Sequence, residues 1–371
     1  MASAGYPRRI VFTGDVLRPG EAAFRPGQTE NILWFHRLVR AQAAAAARCE
    51  VSAVTWGKGI DTPALYGLWG AEKSWRGWAQ IFDAGFAPEG VLAAMERAFG
   101  DSVVIGFELA ESMKRIFSLL GIPFIDFSVH PLRFLDDVFF AVQTNDAAVF
   151  EAMLPDHTED GAFYGAAGLL AASALKARPE LRLRGETLLV GQTRVDRSLV
   201  RGGRLVDLSD FAPALHAAVG EGRATFKPHP YANTDFGALA AGLSFRALHL
   251  TQENIYALMA AEGLRRVVGV SSSALLEARY FGLEAVILHE SPFDIPDSRR
   301  EAAPGQHLSV VDAWGETDFW RRILAPLMPV TRLDGQGFRR PPNALRTSLR
   351  NFWGFNELTT DFQVQLARGA A

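Results

Sequence analysis

Short β-branched and aromatic runs that end on a glycine or a polar loop alternate with helix-period segments along most of this chain. That alternation restricts it to a mainly parallel sheet with crossover helices. Residues 9–13 (RIVFT) run into Gly14-Asp15, which predicts a strand and its exit. The segment 29–48 opens on a Thr cap and carries apolar residues at helical spacing. Strands are then expected at 50–56, 102–107 and 122–128, with helices at 89–99 and 110–120. Residues 60–88 hold Trp69, Trp75 and Trp78 among glycines, which predicts an irregular loop and a short helix with the tryptophans as packing. An Ala-rich helical region over 146–179 stops at Arg178-Pro179.

The pattern then restarts. Strands are expected at 186–190, 223–227, 245–249, 266–270 and 284–288, and helices at 209–219, 253–261 and 273–281. The boundaries that follow are 1–180, 181–335 and a tail, 336–371, that packs back on the first domain. A length of 371 residues suits two domains. Hydrophobic residues at 49% and charged residues at 21% exclude a disordered chain. A net charge of −3 gives no reason to expect nucleic acid. The single cysteine, Cys49, excludes an internal disulfide and a cysteine-based zinc site, and fits a reducing cytoplasm. No run is long enough for a bilayer span, and the N-terminus enters its first strand without a signal-peptide core. The expected class is α/β and GT-B-like: two Rossmann-like domains facing a central cleft, with ligands beyond the carboxyl ends of the strands.

Four motifs fall at such ends. Lys227-Pro228-His229-Pro230 follows strand 223–227, and its prolines hold Lys227 and His229 rigidly where a phosphate or carboxylate would lie. A rigid turn with incidental polar residues is the competing reading. Ser271-Ser272-Ser273 stands between strand 266–270 and a helix, where hydroxyls and free N–H groups can meet an anion. Taken alone, it reads better as a helix cap. The run from Gln192 to Ser198 places Asp196 in the loop after strand 186–190. In the first half, Glu108 follows strand 102–107, and His130-Pro131-Leu132-Arg133 follows strand 122–128. Asp136-Asp137 is read as structural, since adjacent carboxylates point apart. The sequence holds no GxGxxG, no P-loop, no HExxH and no GxSxG, so nicotinamide, ATPase, zinc-protease and serine-hydrolase readings find little support, and no metal is expected.

The run LLVGQTRVDRS, then FKPHPYAN, ENIYALM and VVGVSSSALLEARYFG, resembles the β-Kdo transferases of capsule polysaccharide and lipopolysaccharide biosynthesis over about residues 186–290. That resemblance implies a retaining enzyme using CMP-Kdo by double displacement, with the first domain binding the acceptor and the second the CMP-sugar. Asp196 would be the nucleophile, His229 would hydrogen-bond or protonate the departing phosphate, and Lys227 would offset its charge. Ser271, Ser272 and Ser273 would bind phosphate, and Asn254 and Glu277 would position the cytidine and ribose. Glu108 is the choice for the acid/base toward the acceptor. Gln192, Arg194, Arg133 and His130 are assigned to Kdo, the arginines to its carboxylate. The resemblance implies no cofactor beyond the CMP-Kdo donor, a saccharide or lipid-linked saccharide acceptor, and a cytoplasmic place with room for contact at the inner membrane face. The chain is one module where such enzymes often carry two, so a partner transferase on a separate chain is allowed for. The alternatives are an inverting CMP-sialic-acid-type transferase, a sugar-nucleotide epimerase, and a non-catalytic GT-B scaffold in a polysaccharide assembly complex.

Overall fold

The structure is a computed structural model that describes residues 7–20, 28–183, 185–220, 222–229, 247–332 and 344–348. Pro230 to Arg246, which include the end of the Lys-Pro-His-Pro motif and the start of the expected strand 245–249, lie outside the described residues, as does most of the tail.

The first sheet begins with β1 (Arg9–Gly14), α1 (Gln28–Ala47) and β2 (Glu50–Ala53). It continues through α2 (Thr62–Trp69), α3 (Trp75–Phe82), α4 (Glu89–Phe99), β3 (Ser102–Phe107), α5 (Glu111–Leu119) and β4 (Phe124–Val129). β1 to β4 pair in parallel, and every residue of β3 and β4 is buried, as continuous apolar strands covered on both faces should be. Phe35, Val39, Ala43 and Ala46 form the buried stripe of α1, packed against Ile10 and Phe12 of β1. Asp61 caps α2 through the Ala64 N–H, and Ser74 caps α3 through that of Gly77.

Two antiparallel strands extend this sheet beyond what the alternation predicts. β5 (Phe140–Thr144) pairs with β4. The Ala-rich stretch after it is two helices, α6 (Ala147–Met153) and α7 (Asp160–Ala177), where one region over 146–179 was expected. The break holds Pro155, which sits in a 3-10 turn because it has no N–H to continue the ladder.

The second sheet contains β6 (Thr187–Val190), α8 (Ala212–Val219), β7 (Arg223–Lys227), β8 (Ala247–Leu250), α9 (Ile255–Ala260), β9 (Arg266–Gly269), α10 (Ser273–Ala278) and β10 (Glu284–Ile287). Its strands run parallel in the order β8-β7-β6-β9-β10. The chain then returns. β11 (Leu308–Val310) pairs antiparallel with β5, and α11 (Thr317–Leu324) buries Phe319, Trp320, Ile323 and Leu324 in the first core. Residues 308–332, counted with the second domain on sequence grounds, therefore pack with the first. In α12 (Ala344–Ser348), the described part of the tail, Leu345 and Arg346 donate their N–H groups to Asp137 at 3.1 and 2.9 Å. That is a structural role for Asp137.

Candidate functional site

Gly14 and Phe107 pair at the carboxyl ends of β1 and β3, and a Cβ on Gly14 would lie 2.5 Å from the Phe107 carbonyl. Only glycine lets the two strand exits approach so closely. Asp15 follows, 2% exposed, and accepts from Leu17 N at 3.1 Å and from Trp78 Nε1 at 2.8 Å. Burial pushes its carboxyl up to about 6, although Trp78, Arg18 and the N–H groups of Leu17 and Arg18 favour the charged form. The Arg18 guanidinium lies 5.8 Å from the Trp75 ring and 5.5 Å from that of Trp78.

Glu108, at the exit of β3, has φ +54, a left-handed conformation that costs a non-glycine residue on the order of 1–3 kcal/mol. The surroundings hold it there. Its N–H donates to Phe127 O at 3.0 Å, and the next N–H, from Leu109, donates to Asp126 Oδ1 at 3.0 Å. Asp126 is fully buried on β4, and Lys114 Nζ stands 3.3 Å from its Oδ2. Asp126 and Lys114 thus fix the turn that aims Glu108.

The exits of β6, β7 and β9 are tied together in the second sheet. Gly191 N donates to Lys227 O at 2.9 Å, and a Cβ on Gly191 would lie 3.0 Å from His229 N. Gln192 spans two loops: its Oε1 accepts from Ser271 N at 2.8 Å and its Nε2 donates to Ser271 Oγ at 3.1 Å. Ser271 Oγ donates onward to Ser198 O at 2.6 Å. Lys227 is 6% exposed, while His229, Ser272 and Ser273 are half-buried beside it or on the neighbouring exit. Asp196 caps the 3-10 turn Arg197–Leu199 by accepting from Ser198 N at 2.9 Å.

The carboxyl ends of the two sheets meet. Arg197 Nη2 donates to Ser128 Oγ on β4 at 3.0 Å, and the guanidinium lies 5.1 Å from the Phe293 ring. Asp196 and Glu108 come close enough that the Asp196 charge raises Glu108. Their environments push them apart. Burial is the leading influence on Glu108 and raises its carboxyl, against Arg197, Arg18 and Arg133. At Asp196 burial also opposes ionisation, but Arg18, the Ser198 N–H and hydroxyl, and Arg197 outweigh it and hold the carboxyl below its ordinary value. Two half-buried carboxyls, one raised and one lowered, thus lie in the same field with opposite tendencies to hold a proton.

Other residues chosen from sequence are placed differently. His130 is 1% exposed, stacks on Phe139 at 4.0 Å, and uses both ring nitrogens inside the protein, Nε2 with Ser309 Oγ and Nδ1 with Leu132 N. It is a core residue of the first unit, so its assignment to Kdo is corrected. Gln192, also assigned to Kdo, has its amide engaged as the brace between loops. Arg194 is exposed, and Arg197, Arg18 and Arg133 are the cations that act on Glu108. Asn254 caps α9 through its Oδ1, while its Nδ2 is buried without a partner among the described residues. Glu277 is 2% exposed, and its Oε1 accepts from Arg133 N at 2.6 Å and from Tyr256 OH at 3.0 Å. It joins the two units, and its carboxylate is committed to that bond rather than displayed to a ribose.

Glu277→Ala should therefore cost about 1–3 kcal/mol, because a buried hydroxyl and a part-buried N–H lose their acceptor. Chemical denaturation would check this, and an unchanged midpoint would rule out the brace. Sequence reasoning missed Asp15, Arg18, Arg197, Asp126 and Lys114. Arg197 adjoins Asp196, and Arg18 follows the first strand exit, so both had a positional signal. Among the described residues no group of three or more His, Cys, Asp or Glu is gathered as for a metal ion.

No family model and no curated protein matches this chain. Among solved structures it is similar to the β-Kdo 2,7 transferase of KpsC from Thermosulfurimonas dismutans. The identity is 10%, the TM-score 0.37, and the coverage 76% of this chain and 91% of that one. It is also similar to the β-Kdo 2,4 transferase of KpsC from the same organism, at 13% identity and a TM-score of 0.34, covering 75% of this chain and 79% of that one. Both likenesses are distant.

Proposed function

We propose that this chain is a GT-B glycosyltransferase that moves Kdo from CMP-β-Kdo to a saccharide acceptor with retention, without a metal, in surface-polysaccharide biosynthesis. One observation carries the reading: the strand exits of the two units meet, with Arg197 Nη2 donating to Ser128 Oγ at 3.0 Å, and there Asp196 of the second unit and Glu108 of the first act on each other electrostatically, their carboxyls pushed in opposite directions. In the first step the Asp196 carboxylate attacks the anomeric carbon, and the bond to the CMP oxygen breaks with its electron pair going to the phosphate. Lys227 and His229 offset that charge, and His229 supplies a hydrogen bond or proton. In the second step Glu108, ionised, takes the proton of the acceptor hydroxyl, whose oxygen displaces Asp196. Two inversions give retention.

The acceptor, lipid-linked or free, would enter from the first unit, and the enzyme would work in the cytoplasm at the inner membrane face. No helix among the described residues is long and apolar enough to cross a membrane.

Incubation with CMP-Kdo in excess EDTA tests the reading by release of CMP. Calorimetry should show CMP binding, and Lys227→Ala or His229→Ala should weaken it by about 1–3 kcal/mol, the loss of one charge-assisted hydrogen bond. UDP binding without CMP binding would sink the proposal.

A further inference from the structure

β11 brings the chain back from the second unit to the first sheet, after a crossing segment over residues 288–307. Ser309, at the centre of β11, is fully buried and is held by two histidines from other parts of the first unit. Its N–H donates to His157 Nδ1 at 3.0 Å, its carbonyl accepts from Thr158 N at 2.8 Å, and its hydroxyl lies 3.0 Å from His130 Nε2. A backbone N–H can only donate. His157 Nδ1 is therefore the bare nitrogen of a neutral ring whose proton sits on Nε2. His130 Nδ1 likewise accepts from Leu132 N, at 3.1 Å, so its Nε2 carries the hydrogen and donates to Ser309 Oγ. The two bonds answer acid differently. An imidazolium donates from both nitrogens, so the bond from His130 Nε2 survives protonation. His157 can take a proton only on Nδ1, where it would face the Ser309 N–H.

We propose that β11 is an acid-released latch: a proton taken up at His157 Nδ1 breaks the bond to Ser309 and frees β11 from β5, and the crossing segment is loosened with it. That segment carries Phe293, whose ring lies 5.1 Å from the Arg197 guanidinium, and its Asp294 carbonyl accepts from His307 N at 2.7 Å. The latch thus ties proton uptake to the place where the two units meet. The surroundings of His157 keep it closed at neutral pH. Burial leads in lowering its pKa and Arg299 of the crossing segment adds to that, against the Pro296 carbonyl and Glu159. The His130 and His157 rings oppose each other's charge, and Asp156 is matched by Arg322 of α11. A lowered value means that the bond is fully in place above the ordinary 6.5 and weakens as pH falls below it. The opening is local, because Phe319, Trp320, Ile323 and Leu324 keep α11 in the first core.

Amide hydrogen exchange of the full chain, corrected for the pH dependence of a free amide, tests the latch. Exchange reads the opening while the closed form still predominates. With His157 back at its ordinary pKa in the open form, protection over Leu308–Val310 should fall roughly 10-fold from pH 7.5 to pH 5.5. Protection of β3 should hold over the same range. His157→Asn sets an amide oxygen on Cγ, where Nδ1 stood, and that oxygen accepts from Ser309 N without titrating. The fall over Leu308–Val310 should vanish in this variant. A fall that survives His157→Asn would move the sensor to His307, which precedes β11 and is also buried, and an equal fall in β3 would mean general unfolding in acid. Both results overturn the latch. Should His157→Asn not fold, nitrogen-15 NMR of the wild type at pH 7.5 decides with the exchange data. The latch requires His157 with its proton on Nε2 and Nδ1 bare. A proton on Nδ1, or protection over Leu308–Val310 that does not change with pH, overturns it.

Discussion

Asp196→Asn is expected to bind CMP as the wild type does and to transfer Kdo roughly 10⁴-fold more slowly. The amide has the shape of the carboxylate and can still accept from Ser198 N, which lies 2.9 Å from Asp196 Oδ1, so the loop should keep its form. It lacks the negative charge that burial opposes and that Arg18, Ser198 and Arg197 sustain. An attack on a quaternary carbon needs that charge. Intact-protein mass spectrometry of the wild type with CMP-Kdo and no acceptor should show a gain of one Kdo unit, and peptide mapping should place it on Asp196. An inverted product would favour the inverting CMP-sialic-acid-type alternative, with Asp196 acting as a base, and an adduct on another residue would remove Asp196 from the first step.

Glu108→Gln should separate the two steps. Transfer to the acceptor is expected to fall roughly 10²- to 10⁴-fold, the usual contribution of a general base. Adduct formation at Asp196 needs no base, so the covalent intermediate should accumulate. The pH dependence follows from the same carboxyl. Glu108 must be ionised to accept the acceptor proton, and its raised pKa means that ionisation is lost as pH falls through a range above the ordinary 4.5. Asp196, lowered, stays ionised across that window. The rate of transfer should therefore fall on the acid side through the Glu108 titration, and this limb should vanish from the residual activity of Glu108→Gln. A variant with full transfer, or with the acid limb intact, would show that the base lies elsewhere.

Much of the fold was legible because parallel strands covered on both faces are nearly continuous apolar runs, and their exits are marked by glycine, proline or polar residues. SVVIGF of β3, RATFK of β7 and RVVG of β9 announce themselves in this way. β5 and β11 did not. β11 is three residues long, and its pairing with β5 joins Leu308 to Val142 across more than 160 positions, a contact that no local period records. The domain boundary moved for the same reason, because Trp320 and its neighbours on α11 fit the first core and nothing in their own pattern says which core they fill.

At the site, local hydrophobic period and turn residues were enough to mark the strand exits, and with them Asp196, Lys227, His229 and Glu108. Which of these groups share one field, and which way each carboxyl is shifted, followed only from the packing of the two sheets. It set Glu108 against Asp196, brought Arg18 and Arg197 to both, and committed His130 to the core and Glu277 to the joint between the units. The reason is physical. A carboxyl's pKa is the balance of its burial, hydrogen bonds and neighbouring charges, and those neighbours come from elements far apart in the chain, so the balance exists only once the two sheets have come together.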